Sequence, residues 1–150
     1  MKSGCPQCGA RLAHIRCLNY FDTFQVREFE QPAYFSVHHI SVPCYLLQHN
    51  MYSREGWLMT RECLRKFLNC NTLTSMNADW DRTKFDSGHR TWNFTKGGKL
   101  AGVENILWSR TIADVRLDTA DQYCADVLSW GKSILVDTEA LIQIKADSDL

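Results

Sequence analysis

Apolar residues recur at spacings of three and four along much of this chain, a pattern typical of amphipathic helices. One such run extends from Cys17 to Glu30, and Pro32 closes it because the residue before a proline disfavours the helical region. We predict four further helices: from Ser41, as an N-cap with Pro43 in the first turn, to about His49; from just after Ser53 to about Cys70; a short one from Thr111; and a last one from about Thr119 towards Lys145.

Two local signals refine these helices. Thr111 and Asp114 have the spacing of a capping box, with aspartate as the acidic member, and they open the short helix. Gly131 lies in the middle of the last helix, where glycine costs about 1 kcal/mol relative to alanine. Gly131 therefore weakens the middle of this helix and permits a bend there.

Residues 71–100 are polar and follow no helical period, and the alternation from Trp92 to Phe94 before a glycine pair predicts a short strand and a turn. We therefore predict a mainly α fold with four to five helices, a small β element and an N-terminal zinc knuckle. Residues 1–150 are expected to form a single domain. Its parts are a zinc-knuckle segment (1–16), a helical part (17–70), an irregular part with short strands (71–105) and a second helical part (106–150).

Composition and charge narrow the possible functions. Seventeen basic residues balance seventeen acidic ones, so nucleic acid is an unfavoured partner, because phosphate binding draws on an excess of Lys and Arg. The chain opens without the apolar core of a secretory signal and contains no apolar run long enough to span a bilayer. Seven cysteines are an odd number, which favours free thiols and metal ligation over disulfides. We therefore expect a cytoplasmic protein without a membrane span.

Cys5 and Cys8 give the strongest chemical signal. Two thiolates separated by Pro6 and Gln7 in a tight turn face one ion, and Gly9 relieves the turn. Such a pair is half of a structural zinc site, which takes four nitrogen or sulfur ligands. A redox role needs the pair at the start of a helix that follows a strand, and the first four residues are too few to form that strand. Zinc is therefore the predicted cofactor.

A second CxxC pair is absent, so the remaining ligands come from elsewhere in the chain. A continuous helix between His38 and His49 would hold the two residues roughly 16 Å apart, too far for one ion, unless His38 lies in a loop before the Ser41 cap. The open candidates are His38, His39 and His49 first, with Cys17, Cys44 and His14 behind them.

Several stretches together resemble a bacterial family catalogued as domain of unknown function 5946. The segments that carry the resemblance are Cys5 to Ala10, Cys17 through Glu30 to Tyr34, His38 to Val42, Tyr45 to His49, Thr111 to Val115 and the helix around Trp130. The resemblance supports Cys5, Cys8, His38 and His49 as the special polar positions, and we therefore predict these four as the metal ligands. It supplies no activity.

Three functions are compatible with these residues. The first is a non-enzymatic regulatory or adaptor protein with a structural zinc and a protein partner; it predicts a fully protein-ligated ion and no water-filled cleft beside it. The second is a small zinc-dependent hydrolase with an open metal position near Glu30, Glu55 or His89. The third is a nucleic-acid-binding module that uses the mildly basic residues 82–99. No catalytic residue is assigned.

Overall fold

The computed structural model describes residues 4–12, 16–69 and 98–148. These ranges consist of helices joined by turns and irregular segments. Five helices of ten or more residues, one four-residue helix and two 3-10 turns account for the regular structure within them. Their bounds are α1 Cys17–Glu30, α2 Pro32–Phe35, α3 His38–Gln48, α4 Arg54–Asn69, α5 Ala120–Asp137 and α6 Glu139–Ser148, with 3-10 turns at Val103–Asn105 and Ile112–Asp114.

The mainly α prediction is confirmed, and several boundaries match. Helix α1 has the predicted bounds, and α4 begins directly after Ser53. Thr111 and Asp114 form the predicted capping box, with the Thr111 side chain accepting from a backbone N–H and the Asp114 carboxylate accepting from the Thr111 N–H at 2.9 Å. The helix that this box opens is a single 3-10 turn. The predicted strand at residues 92–94 lies outside the described residues, and those that are described contain no strand.

The prediction that Ser41 caps a helix is wrong. Helix α3 begins at His38, three residues earlier, so Ser41 and Pro43 both lie inside it. The Ser41 hydroxyl donates instead to the carboxyl group of Glu28 in α1, at 2.6 Å. Ser41 is therefore an interior residue of α3, and its hydroxyl bonds a neighbouring helix where a capping serine would accept a free N–H of its own helix.

The long C-terminal helix is in fact two helices separated by Thr138. Its hydroxyl donates to the Ile134 carbonyl at 2.7 Å and accepts from the Arg61 guanidinium of α4 at 2.6 Å. Gly131 produces no break, since α5 runs through it. A Cβ there would lie 3.1 Å from the Ile40 side chain, so this glycine lets α3 approach α5 closely.

The core lies where α1, α3, α4 and α5 meet. Trp57 of α4 and Trp130 of α5 are fully buried, as their place on apolar helix faces predicts. Both indoles are satisfied at the C-terminal end of α3: Trp57 donates to the Leu47 carbonyl and Trp130 to the Gln48 side chain, each at 3.1 Å. These bonds fix the end of α3, which matters because the next residue is His49. None of the described helices combines the length and apolar character that a membrane crossing requires.

Candidate metal centre

The N-terminal segment forms a closed turn that carries Cys5 and Cys8. The Gly9 N–H donates to the Cys5 carbonyl at 2.8 Å, and the Cys5 N–H donates to the Ala10 carbonyl at 2.9 Å. Gly9 has a φ of 81°, a left-handed conformation that a side chain would strain. The Ala10 N–H points at the Cys8 sulfur, 3.4 Å away. The predicted turn is thus present, with the Cys8 sulfur held by a backbone N–H and the Cys5 sulfur 3.2 Å from the side-chain oxygen of Gln7.

Two further ligands meet this turn, one from each of two helices. Cys17 is the first residue of α1, and His49 directly follows the last residue of α3. The ligand atoms of Cys5, Cys8, Cys17 and His49 all lie within 4.8 Å of one another. Three sulfurs and one imidazole nitrogen are a ligand set that structural zinc sites use.

The separations fit a tetrahedral ion. Zinc–sulfur bonds of about 2.3 Å in a tetrahedron place two sulfurs about 3.8 Å apart, and a sulfur and a nitrogen slightly closer. The Cys8 and Cys17 sulfurs are 3.7 Å apart, and the Cys5 sulfur is 3.7 Å from Nε2 of His49. Two of the six distances between ligand atoms therefore already match those of a zinc-bound tetrahedron. The other four would have to shorten by no more than about 1 Å.

The ring of His49 is held in a fixed orientation by contacts with Tyr45. Its Nδ1 lies 2.8 Å from the Tyr45 carbonyl, and a proton on Nδ1 leaves the Nε2 lone pair directed at the sulfurs. The ring also stacks on Tyr45, with centroids 4.0 Å apart, and Tyr45 stacks on Phe21 at 4.1 Å. This three-ring stack connects the candidate ligand to the core.

The Cys8 thiol resists ionisation in the cluster as it stands. Cys8 and Cys17 are buried, and Cys5 and His49 are partly buried. The hydrogen bond with Cys17, and after it burial, raises the pKa of the Cys8 thiol to about 12. A thiol with this pKa is a poor redox nucleophile, because the thiolate is the reactive form. A cation bound among the sulfurs is what would deprotonate them.

His38 lies in a different cluster at the other end of α3. Its Nδ1 is 2.7 Å from Oε1 of Glu28, whose side chain is fully buried. The second carboxyl oxygen of Glu28 accepts from the hydroxyls of Ser41 and Tyr123. Of the four positions that the family resemblance implied, the structure brings Cys5, Cys8 and His49 together and places His38 elsewhere. The reason is the early start of α3, which removes the loop that would have let His38 fold back.

Cys17 takes the fourth place in the cluster. Sequence reasoning ranked it behind the histidines, although its position at the start of the first helix, nine residues after Cys8, was the available signal. Cys44 is fully buried, and burial raises the pKa of its thiol well above the usual value. His39 is absent from the four-residue cluster, and His14 lies outside the described residues.

Two hollows adjoin the centre. The larger, of about 780 Å³, is lined by Cys5, Cys17 and His49 together with neighbouring residues of the turn, α1 and α3. The smaller, of about 320 Å³, lies against Cys5 and Cys8 and includes Glu104. The expectation that a structural site has no cleft beside it is therefore not met. Glu30 and Glu55 line neither hollow, and His89 lies outside the described residues.

Comparison with known proteins identifies a family for this chain. No curated protein and no solved structure matches the chain. The model of a family described as a family of unknown function, DUF5946, matches residues 3–139, a span that includes all four residues of the cluster. This chain therefore belongs to the DUF5946 family.

Proposed function

We propose that this chain is a cytoplasmic, non-enzymatic regulatory or adaptor protein stabilised by one structural zinc ion bound to Cys5, Cys8, Cys17 and His49. The observation that carries the proposal is the convergence of four zinc-type ligand atoms within 4.8 Å. Four protein ligands complete a tetrahedral sphere and leave no position for a catalytic water. Zinc bound in this way joins the N-terminal turn to α1 and α3.

Zinc is favoured over other metals by the chemistry of the ligands. Thiolates and imidazole are soft or borderline donors, whereas magnesium and calcium take oxygen ligands. The cluster contains three sulfurs and no carboxylate. Because zinc-binding energy is folding energy, a structural ion here would also hold the N-terminal turn, which belongs to no helix, against the core.

A partner protein is supported by exposed apolar side chains near the centre. Leu107 is 92% exposed and lies beside the turn that carries Cys5 and Cys8. Leu18 and Met51, 50% and 48% exposed, line the other hollow beside this turn. A group of exposed large apolar side chains, unlike a single one, is typical of an interaction surface. The aromatic residues 80, 92 and 94, which the sequence also offers for such a surface, lie outside the described residues.

The ligand set is tested by elemental mass spectrometry on protein purified without a histidine tag. We expect one zinc per chain, lost in Cys5→Ser, Cys8→Ser, Cys17→Ser and His49→Ala. His38→Ala is the control that separates this ligand set from the one implied by the family resemblance, and it should keep its zinc. Zinc lost in His38→Ala and kept in Cys17→Ser would refute the proposed set.

One observation favours the hydrolase as a second candidate. Glu104 lines the hollow that also contains Cys5 and Cys8, so a carboxylate lies near two ligands. A hydrolase needs one ligand position to be open to water. Zinc retained at full stoichiometry in one of the four ligand variants, together with loss of esterase or amidase activity in Glu104→Gln, would establish it in place of the structural role.

A further inference from the structure

The larger hollow beside the metal centre combines an apolar floor with a basic rim. Leu18 of α1 and Met51, which follows α3, line it and are 50% and 48% exposed. Tyr45 contributes its ring from α3. Arg11 and Arg16 line the same space from the turn and the start of α1. At about 780 Å³, the cleft lies within the range of small-molecule sites.

The cleft is lined by positively charged side chains without negatively charged ones. None of the described residues that line it is Asp or Glu. Arg11 and Arg16 are exposed, and neither guanidinium group makes a hydrogen bond or an ion pair with a described residue. Two guanidinium groups that face an apolar space without an acidic partner are an unbalanced arrangement.

The N-terminus of α1 adds further positive charge to the cleft. Arg16 is the N-cap of this fourteen-residue helix, makes no side-chain capping bond, and is followed by no acidic residue in the first turn. The free N–H groups of a helix N-terminus carry a partial positive charge of about half a unit. This end of α1 lies on the cleft, because Arg16, Cys17 and Leu18 all line it.

The metal centre balances only part of this charge. A zinc ion with three thiolates and a neutral imidazole has a net charge of −1, from +2 and three times −1. Arg11 and Arg16 together contribute +2, so about one positive charge remains before the helix terminus is counted. A ligand that carries one negative charge would complete the balance.

We infer that the cleft binds an amphipathic monoanion, a small molecule with one carboxylate or sulfonate group and an apolar body. The anionic group lies between Arg11, Arg16 and the N-terminus of α1, and the apolar body covers Leu18 and Met51. This inference rests on the proposed function, because the charge count includes the zinc–thiolate centre. It gives the regulatory protein a class of effector that binds against its structural metal.

The test uses a fluorescent monoanion, 8-anilinonaphthalene-1-sulfonate, and its uncharged counterpart N-phenyl-1-naphthylamine. Both are titrated into the full chain and into the double variant Arg11→Gln/Arg16→Gln. The matched control is Arg65→Gln/Lys66→Gln, which removes the same charge from two exposed positions of α4 that do not line the cleft. Zinc content and near-ultraviolet circular dichroism are measured on every sample.

We expect one saturable sulfonate site, weakened about tenfold in the Arg11/Arg16 variant and unchanged in the control. Binding of the uncharged probe should be unaffected by either arginine change. Leu18→Asn/Met51→Gln should weaken both probes about tenfold, because the apolar floor is lost. Decanoate should displace the sulfonate, and inorganic phosphate, which has charge but no apolar body, should not.

Several results would overturn this inference. They are non-saturable sulfonate binding, equal weakening in the α4 control, or displacement by phosphate as effective as displacement by decanoate. One zinc per chain without sulfonate binding would reject the cleft site and leave the metal centre standing. Arginine-dependent sulfonate binding to a chain that purifies without zinc would reject the metal centre and the charge count based on it, and would leave only a basic cleft. The two failures are therefore distinguishable.

Discussion

The two ends of helix α3 carry two histidines in contrasting surroundings. His49, just after the helix, has its Nδ1 against the Tyr45 carbonyl and its Nε2 3.7 Å from the Cys5 sulfur. His38, at the first position, has its Nδ1 against Glu28 and its ring stacked on Phe35 with centroids 4.7 Å apart. Nε2 of His38 has no hydrogen-bond partner among the described residues.

The difference shows that the same side chain acquires its role from the atoms that tertiary contacts bring to it. Around His49 the partners are sulfurs from a turn and a helix start, which suit a metal ion. Around Glu28 and His38 the partners are hydroxyls of Ser41 and Tyr123, which satisfy a buried carboxyl group without any ion. One end of α3 therefore has a candidate metal site, and the other end has a hydrogen-bonded lock between α1, α3 and α5.

Removing the metal should have the largest effect, and this effect arises at the His49 end of α3. We expect a strong chelator to lower the unfolding free energy by about 5 kcal/mol or more, because structural zinc contributes folding energy of that order. Thermal unfolding should shift down by more than about 10 °C in a chain of this size. Cys17→Ser should reproduce the shift without chelator, whereas Cys124→Ser, a thiol outside the cluster, should not. A chelator that leaves the melting temperature unchanged would contradict a structural role.

Glu28→Ala should give the next largest effect, at the other end of the helix. The change leaves the buried hydroxyls of Ser41 and Tyr123 without their acceptor, which costs about 3 kcal/mol. Zinc content should stay at one per chain. Chemical denaturation measures the cost, and Glu28→Gln, which keeps one acceptor oxygen, is expected to lose less. Zinc lost from Glu28→Ala while the chain remains folded would show that the two ends are not independent.

Replacing each histidine with glutamine should lower stability in both variants but remove zinc from only one of them. His38→Gln is expected to cost about 1–2 kcal/mol of stability and no zinc, since it removes one hydrogen bond to a buried group. His49→Gln should lose zinc and with it the larger metal contribution. Paired metal analysis and denaturation on the two variants check this. Equal losses of zinc would mean that both residues act on one ion.

The smallest effect concerns alkaline pH. Burial, and then the neighbouring Glu28, raises the pKa of the Tyr123 hydroxyl above its ordinary value of 10.0. Above about pH 10 only the unfolded chain ionises this group, so its contribution is present below that pH and lost as pH rises, by up to about 1.4 kcal/mol per unit. Unfolding free energies between pH 9 and pH 11 should fall more steeply for the wild type than for Tyr123→Phe. Identical slopes would contradict the assignment.

Helix positions could be predicted wherever local signals agree with packing. The apolar period from Cys17 to Glu30 coincides with helix α1. The capping box of Thr111 and Asp114 is present at the start of its 3-10 turn. The start of α3 was missed because Ser41 has two possible roles: its oxygen can accept a free N–H of its own helix, or its O–H can donate to Glu28 thirteen residues away. The long-range bond decides the outcome, and nothing in the local pattern reports it.

The candidate site could be predicted in part for the same reason. Cys5 and Cys8 are recognisable because the turn between them is local. Cys17 and His49 come from two different helices, and which residues join the turn depends on how α1 packs on α3 through Phe21 and Tyr45. The argument from helix length, that His38 and His49 cannot share one ion on a continuous helix, holds in the structure.

The division of the four ligands between helices and turn has a consequence for the kinetics of metal loading. Cys17 and His49 are positioned by packed helices and by the ring stack, whereas Cys5 and Cys8 lie in a turn outside any helix. We expect an incoming ion to bind the helical pair first and then to capture the turn. Loading would then be limited by closure of the short chain segment between Cys8 and Cys17, so its rate would respond to insertions in that segment more than to changes in either helix.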